Sequence, residues 1–113
     1  MWRLIEALNL SEEQATRVFP TVNRFQTERQ PLRREKRELL WRLRDALYDR
    51  ASEEEISAVV GKLDANLADL CELRMKQWSE LREVLTPEQQ AKSMLFREEA
   101  RRRARRHRHP DIL

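Results

Sequence analysis

Few side chains in this sequence could carry out covalent or metal chemistry, and they lie apart from one another. The two histidines, His107 and His109, stand near the C-terminal end, and the one cysteine, Cys71, stands one helical turn before Met75. Neutral imidazoles two residues apart could hold Zn²⁺ or Ni²⁺ weakly, whereas a thiol beside a thioether suits Cu⁺. Such a cysteine and methionine pair more often fills a hydrophobic core. The sequence therefore predicts no firm metal site, and His107 and His109 are weak candidates.

Enzymatic catalysis is not predicted. Acidic residues are numerous, but they alternate with arginines on surfaces expected to be solvated, where ion pairing accounts for them. Cys71 has no histidine nearby in the sequence, and a chain with one glycine lacks a glycine-rich phosphate loop. A single cysteine also excludes an intrachain disulfide and leaves a bridge between two subunits open. We expect a protein that works by binding, without an enzymatic activity.

The charge pattern argues against some partners. The 23 basic and 20 acidic residues give a net charge of +3, and much of the excess lies in the arginine-rich run 101–109. A solvated helix end is the simplest interpretation of this run, and a tail that binds anions or a partner is the alternative. Because acidic residues are spread through the chain, nucleic-acid binding is not predicted. No membrane span is expected, since no stretch of about 20 apolar residues is present, and no signal-peptide pattern is seen.

Helices must position all of these residues. Leu, Ala, Glu, Arg and Gln are good helix formers, and with 38% charged residues the apolar core is expected to be a thin seam. Apolar spacing predicts a short helix that ends at Asn9 and a long helical segment from Glu12 to Asp49. Pro20 is expected to kink this segment, and Pro31 is a candidate point of division into two helices.

A second long helix is predicted to begin after Ser52, with Glu55 as its capping partner. Arg74 interrupts its apolar stripe, and Met75 is expected to fill the gap. A last helix begins at Thr86 and frays into the arginine run, so residues 1–106 form the predicted domain and residues 107–113 a disordered tail. The predicted stripe of the second long helix consists of Ile56, Val60, Leu63, Leu67, Leu70, Trp78, Leu81 and Leu85.

A short pattern occurs twice, as LSEEQ in residues 10–14 and as LTPEQ in residues 85–89. Each has a hydroxyl residue followed three places later by glutamine, which predicts a capping box at the start of a helix. The segments between the two patterns have similar lengths, so an antiparallel hairpin would return the second pattern close to the first. The residues expected to shape this frame are Leu10, Ser11, Gln14, Leu85, Thr86 and Gln89.

The sequence resembles the Spy/CpxP family of small periplasmic stress proteins, which carry paired LTxxQ motifs. Residues 85–92, LTPEQQAK, match the motif, and residues 10–14 match it with serine in place of threonine. The order of elements also agrees over about residues 2–106. The resemblance implies an all-helical, four-helix antiparallel hairpin that forms a cradle-like homodimer in the bacterial periplasm. It further implies an ATP-independent chaperone or stress-response accessory protein, whose basic and apolar concave face holds unfolded or misfolded proteins.

Metal-sensing relatives supply the alternative function. They imply a periplasmic heavy-metal sensor or resistance protein that binds Zn, Ni or Co and regulates a sensor kinase or a sigma-factor system. A sensor kinase or an anti-sigma protein is the regulatory partner that the resemblance implies. These relatives carry histidines ahead of the first motif, whereas MWRLIEALN has none. No cofactor is predicted beyond weak Zn or Ni binding.

The segment 29–44 offers a surface compatible with client binding, because it interleaves basic and apolar residues. On a helix only one side of this segment can face a core. Trp41 is expected on the flank of the helix, either as an exposed anchor for a client or as packing between subunits. The candidate client-binding residues are Arg33, Arg34, Arg37, Leu40, Trp41 and Arg44.

Overall fold

Four α-helices make up the part of the chain that the structure describes. The computed structural model describes the backbone of residues 2–112 and the side chains of residues 3 and 5–106. In chain order the helices are α1 (Trp2–Leu8), α2 (Glu12–Tyr48), α3 (Glu53–Val84) and α4 (Pro87–Ile112). Residues 2–112 contain no strand, so the predicted all-α class is confirmed.

The C-terminal helix runs past the predicted domain boundary. The backbone of α4 continues as helix through Ile112, without a change of element at residue 107. The side chains of residues 107–112 lie outside the described ones, so the division into a domain and a tail stays a prediction. Among the described residues, no helix is both long enough and apolar enough to cross a bilayer.

The long helix α2 passes through both of its prolines without a break, so Pro31 does not divide it. Both prolines are exposed, which lets the carbonyl groups that lose a helical donor face solvent. Four residues before each proline stands a threonine whose hydroxyl donates to the carbonyl one turn earlier. Thr16 Oγ1 donates to Glu12 O at 2.9 Å, and Thr27 Oγ1 donates to Asn23 O at 3.1 Å. The kink expected at Pro20 stays a prediction.

The buried side of α2 follows a continuous spacing of three and four residues, which is the heptad pattern of helices packed along a seam. Two of its members, Arg29 and Lys36, are charged and half-buried. The seam of α2 is therefore partly polar along its middle. The buried and half-buried positions at this spacing are Ala15, Val18, Val22, Phe25, Arg29, Leu32, Lys36, Leu39, Leu43 and Ala46.

The chain divides into two compact units, and the first comprises residues 19–80. There α2 and α3 are joined by an apolar cluster of Leu39, Val59 and Leu63. Further from the turn, Asn66 Nδ2 donates to Leu32 O at 2.9 Å, and Arg24 pairs with Glu80 beyond it. These contacts therefore pair earlier residues of α2 with later residues of α3.

The apolar stripe predicted for α3 is partly wrong. Val60 and Leu67 are 42% and 47% exposed, whereas Val59 and Asn66 occupy the buried positions beside them. Met75 does not fill the gap at Arg74, because it is exposed, and the seam continues with half-buried Leu73 instead. The helix is rotated so that polar side chains enter the seam. Its buried and half-buried positions within this unit are Ile56, Val59, Leu63, Asn66, Leu70, Leu73, Gln77 and Trp78.

Two amides of this seam are only partly satisfied. Asn66 is 1% exposed and Gln77 is 2% exposed, and Asn66 Oδ1 and Gln77 Nε2 are buried without a hydrogen-bond partner among the described atoms. An unpaired buried polar atom costs about 1–3 kcal/mol. The hydrogen bond from Asn66 to Leu32 O thus fixes the register of the two helices at a cost in stability.

Replacing Asn66 with leucine is expected to raise the free energy of unfolding by about 1 kcal/mol, because apolar burial and removal of the unpaired oxygen outweigh one lost hydrogen bond. The matched variant Asn66→Asp should lower it by about 2 kcal/mol or more, since it buries a carboxylate against Leu32 O. Urea unfolding of both variants measures the change. If Asn66→Leu destabilised the protein, the amide would be required for correct pairing of the helices.

The second compact unit comprises residues up to Val18 and from Leu81 onward. Here α1 packs against α4. The buried residues of this unit are Leu8, Val18, Leu81, Leu85 and Ser93. Asn9 ends α1 with a φ of 51°, a left-handed conformation that asparagine tolerates better than most residues. This reversal places the start of α2 beside the end of α1.

Candidate functional site

Each of the two sequence motifs forms a reciprocal capping box. In the first, the Ser11 N–H donates to Gln14 Oε1 at 3.0 Å, and the Gln14 N–H donates to Ser11 Oγ at 3.1 Å. In the second, the Thr86 N–H donates to Gln89 Oε1 at 3.0 Å, and the Gln89 N–H donates to Thr86 Oγ1 at 3.2 Å. These bonds satisfy amide groups that the first turn of a helix leaves without partners.

The two boxes are bonded to each other through their glutamine side chains. Gln14 Nε2 donates to Gln89 Oε1 at 2.7 Å, and Gln89 Nε2 donates to Gln14 Oε1 at 3.1 Å. Each of these nitrogens also donates to the last carbonyl of the helix that precedes the other motif. Gln14 Nε2 donates to Val84 O at 3.1 Å, and Gln89 Nε2 donates to Leu8 O at 3.2 Å. Each amide therefore uses both hydrogens and accepts two bonds. We call this network the glutamine corner.

The bonds of the glutamine corner need a side chain that both donates and accepts, as the amides of Gln14 and Gln89 do. A glutamate could accept from its own cap but could not donate to the carbonyl that ends the other helix. Val84 and Leu8 are the last residues of α3 and α1, so their carbonyls have no donor within the helix. The corner thus ties two helix ends to two helix starts.

Three further residues complete the corner. Leu85 is buried and Leu10 is half-buried, so both leucines of the motifs pack inward. Gln90 Nε2 donates to Arg82 O and Leu85 O, each at 3.1 Å, and so caps the end of α3. Sequence reasoning missed Gln90, for which the only signal was a second glutamine directly after the motif.

The candidate client-binding residues share one side of α2. At 100° per residue they fall within an arc of about 120°, which adjoins the buried seam at Leu40 and turns away from it toward Arg34. All of them are exposed, and Trp41 is 62% exposed. Tyr48 falls on the same arc and Leu47 lies about 20° beyond its edge at Leu40; both are exposed, but sequence reasoning left them out. We call this surface the basic face; it consists of Arg33, Arg34, Arg37, Leu40, Trp41, Arg44, Leu47 and Tyr48.

The basic face carries positive charge that the protein does not neutralise. Of the acidic residues of the same stretch, Asp45 and Glu38 stand about 20° and 40° beyond the edge of the arc at Arg34, and Glu35 lies on the far side of the helix. Among the described residues, no carboxylate pairs with any arginine of the face, and Arg44 instead lies 5.1 Å from the centre of the Trp41 ring. Cations elsewhere do form ion pairs, namely Arg24, Lys76, Lys92, Arg102 and Arg103.

The metal-site candidates gain no support from neighbouring ligands. Within the described side chains, no three or more His, Cys, Asp or Glu residues are grouped so as to hold a metal ion. The side chains of His107 and His109 lie outside that description. Cys71 and Met75 are both exposed, so the interpretation that they fill the core is wrong.

A second exposed apolar surface lies along α3. Val60, Leu67, Cys71 and Met75 fall within about 80° of one another around the helix, beside the buried seam, and the exposed acidic residue Asp64 lies on the same arc. All four are exposed. We call this surface the α3 flank.

Comparisons with models of protein families, with curated proteins and with solved structures find no match for this chain. The resemblance to the Spy/CpxP family therefore stays an interpretation, which rests on the two motifs and on the order of the helices.

Proposed function

We propose that this protein is an ATP-independent periplasmic chaperone or stress-response accessory protein of the Spy/CpxP type. It holds unfolded or misfolded proteins on the basic face of α2. The observation that carries the proposal is a surface of four arginines with exposed aromatic and aliphatic side chains and no carboxylate. The paired motifs, joined at the glutamine corner, support the family assignment.

The proposed mechanism is non-covalent binding, without a catalytic step. Unpaired arginines attract acidic stretches of a client over a distance of about 8 Å at physiological salt. Leu40, Trp41 and Leu47 then retain apolar segments that an unfolded chain exposes. Because each contact is weak and none needs a fixed geometry, clients of different sequence can be held and released without ATP.

The proposed assembly is an antiparallel hairpin of α2 and α3 that pairs with a second copy as a cradle-like homodimer. The contacts of Asn66 with Leu32 and of Arg24 with Glu80 support the hairpin. The α3 flank supports the homodimer, since exposed apolar side chains on one side of a helix commonly mark an interface between proteins.

The test is suppression of aggregation when a chemically denatured enzyme, lactate dehydrogenase, is diluted into buffer. Replacing the four arginines of the basic face with glutamine should raise the protein concentration needed for half suppression about fivefold or more, since each charged contact contributes several tenths of a kcal/mol. The matched control replaces four exposed arginines off the face, which have no ion-pair partner among the described residues. These control positions are Arg42, Arg101, Arg105 and Arg106.

Equal activity of the two variants would reject the basic face as the client surface. The same assay with added Zn²⁺ or Ni²⁺ addresses the alternative function. Suppression that is unchanged by metal fits the chaperone, whereas tight stoichiometric metal uptake would favour the metal sensor.

A further inference from the structure

The basic face is a long, narrow surface on α2. From Arg33 to Tyr48 it runs about 22 Å along α2. Trp41 and Tyr48 are 62% and 87% exposed, and Leu40 and Leu47 stand beside them. The basic face thus presents positive charge and apolar surface together on one side of α2.

The surroundings of the basic face argue against two kinds of occupant. A second copy of the chain seated face to face would bring eight unpaired arginines together, which is unfavourable. A small ligand would need a cleft, but the cleft near the end of α2, of about 490 Å³, is lined by residues outside the face, which include three acidic residues, Arg42 and apolar side chains. The basic face thus suits an extended and anionic surface.

We propose that the basic face binds the anionic surface of a lipid bilayer, with α2 lying parallel to the membrane plane. Arginines in this arrangement reach lipid phosphates, while tryptophan and tyrosine side chains lie at the headgroup level. Each basic residue near an anionic bilayer contributes about 1 kcal/mol. Because the helix is already folded, binding does not require a disordered segment to become ordered.

Lipid binding and client binding by the basic face can be measured separately. A vesicle experiment contains no unfolded protein, and the aggregation assay contains no lipid. Either proposal can therefore fail while the other stands.

The test is cosedimentation with vesicles of phosphatidylcholine, with and without phosphatidylglycerol. The unaltered protein should bind anionic vesicles at least a hundredfold more tightly than neutral ones, since four arginines contribute about 1 kcal/mol each. Replacing Arg33, Arg34, Arg37 and Arg44 with glutamine should weaken that binding about a hundredfold or more. The control variant altered at Arg42, Arg101, Arg105 and Arg106 should lose less than about threefold.

Tryptophan fluorescence locates the contact. Binding to anionic vesicles should shift the emission to shorter wavelength, and Trp41→Phe should abolish this shift. Failure to bind anionic vesicles would overturn the proposal, and so would an equal loss in the control variant. If the protein bound polyglutamate but not vesicles, the face would serve acidic polypeptides and the lipid proposal would be wrong.

Discussion

Replacing Gln14 with leucine is expected to lower the free energy of unfolding by about 3 kcal/mol. The substitution removes the acceptor for the Ser11 amide and the donor to Val84 O. It also removes both bonds of the amide pair with Gln89. Each bond contributes about 1 kcal/mol, and added apolar burial offsets part of the loss. Thermal and urea unfolding measure the change.

Two control variants separate the capping box from the bonds between the boxes. Thr86→Ala removes a cap alone and should cost about 1 kcal/mol. Gln14→Glu keeps an acceptor for the cap but faces Val84 O and Gln89 Oε1 with a carboxylate, so it should cost about 2 kcal/mol or more. In the double variant Gln14→Leu with Gln89→Leu, the two losses should overlap by at least about 1 kcal/mol. Strict additivity would show that the amide pair contributes nothing.

Phe25→Ala is expected to lower the free energy of unfolding by about 3–4 kcal/mol, because it removes a large side chain from a seam that holds few others. Phe25 is 3% exposed, and the adjoining seam residue Val22 is equally buried. A protein of this size has about 5–15 kcal/mol of stability in all, so the variant should be partly unfolded well below the melting temperature of the unaltered chain.

Trp41→Ala is the matched control for Phe25→Ala. It also removes an aromatic side chain from α2, but Trp41 is exposed, so the free energy of unfolding should change by about 0.5 kcal/mol or less. Circular dichroism during urea unfolding compares the two variants. Equal destabilisation would mean that Trp41 is buried by a partner in solution.

The positions of the helices could be predicted because local interactions determine them. Ser52 begins α3 as expected, since the Glu55 N–H donates to Ser52 Oγ at 3.2 Å. The capping boxes could be predicted for the same reason, because both partners lie within one turn of chain. The amide pair of Gln14 and Gln89 brings the two motifs together, as the similar lengths of the segments between them led us to expect.

The rotation of α3 could not be predicted from its apolar residues. Val60 and Leu67 continue a spacing of three and four as well as Val59 does, so periodicity allows two neighbouring stripes. Asn66 enters the seam because it meets the Leu32 carbonyl, and that contact depends on the facing helix. A rule that places apolar residues inside cannot anticipate an amide whose partner lies on another element.

The Ser52 cap located the turn after α2, but the left-handed residue within that turn lacked a signal in the sequence. Arg50 adopts a φ of 53°, which glycine adopts more readily. The Ala51 N–H donates to Ala46 O at 2.9 Å and the Arg50 N–H donates to Leu47 O at 3.4 Å, the two bonds of a Schellman motif. The one glycine of the chain, Gly61, lies instead within α3. The position of the glycine therefore did not indicate which residue of the turn is left-handed.

The glutamine corner joins positions 75 residues apart, and this separation bears on the order of folding. Bringing such distant points together loses about 4 kcal/mol of chain entropy. The turn at Arg50 joins near neighbours at small entropic loss, so we expect α2 and α3 to assemble outward from it and the corner to close last. Substitutions at Gln14 or Gln89 should then accelerate unfolding and leave the refolding rate nearly unchanged.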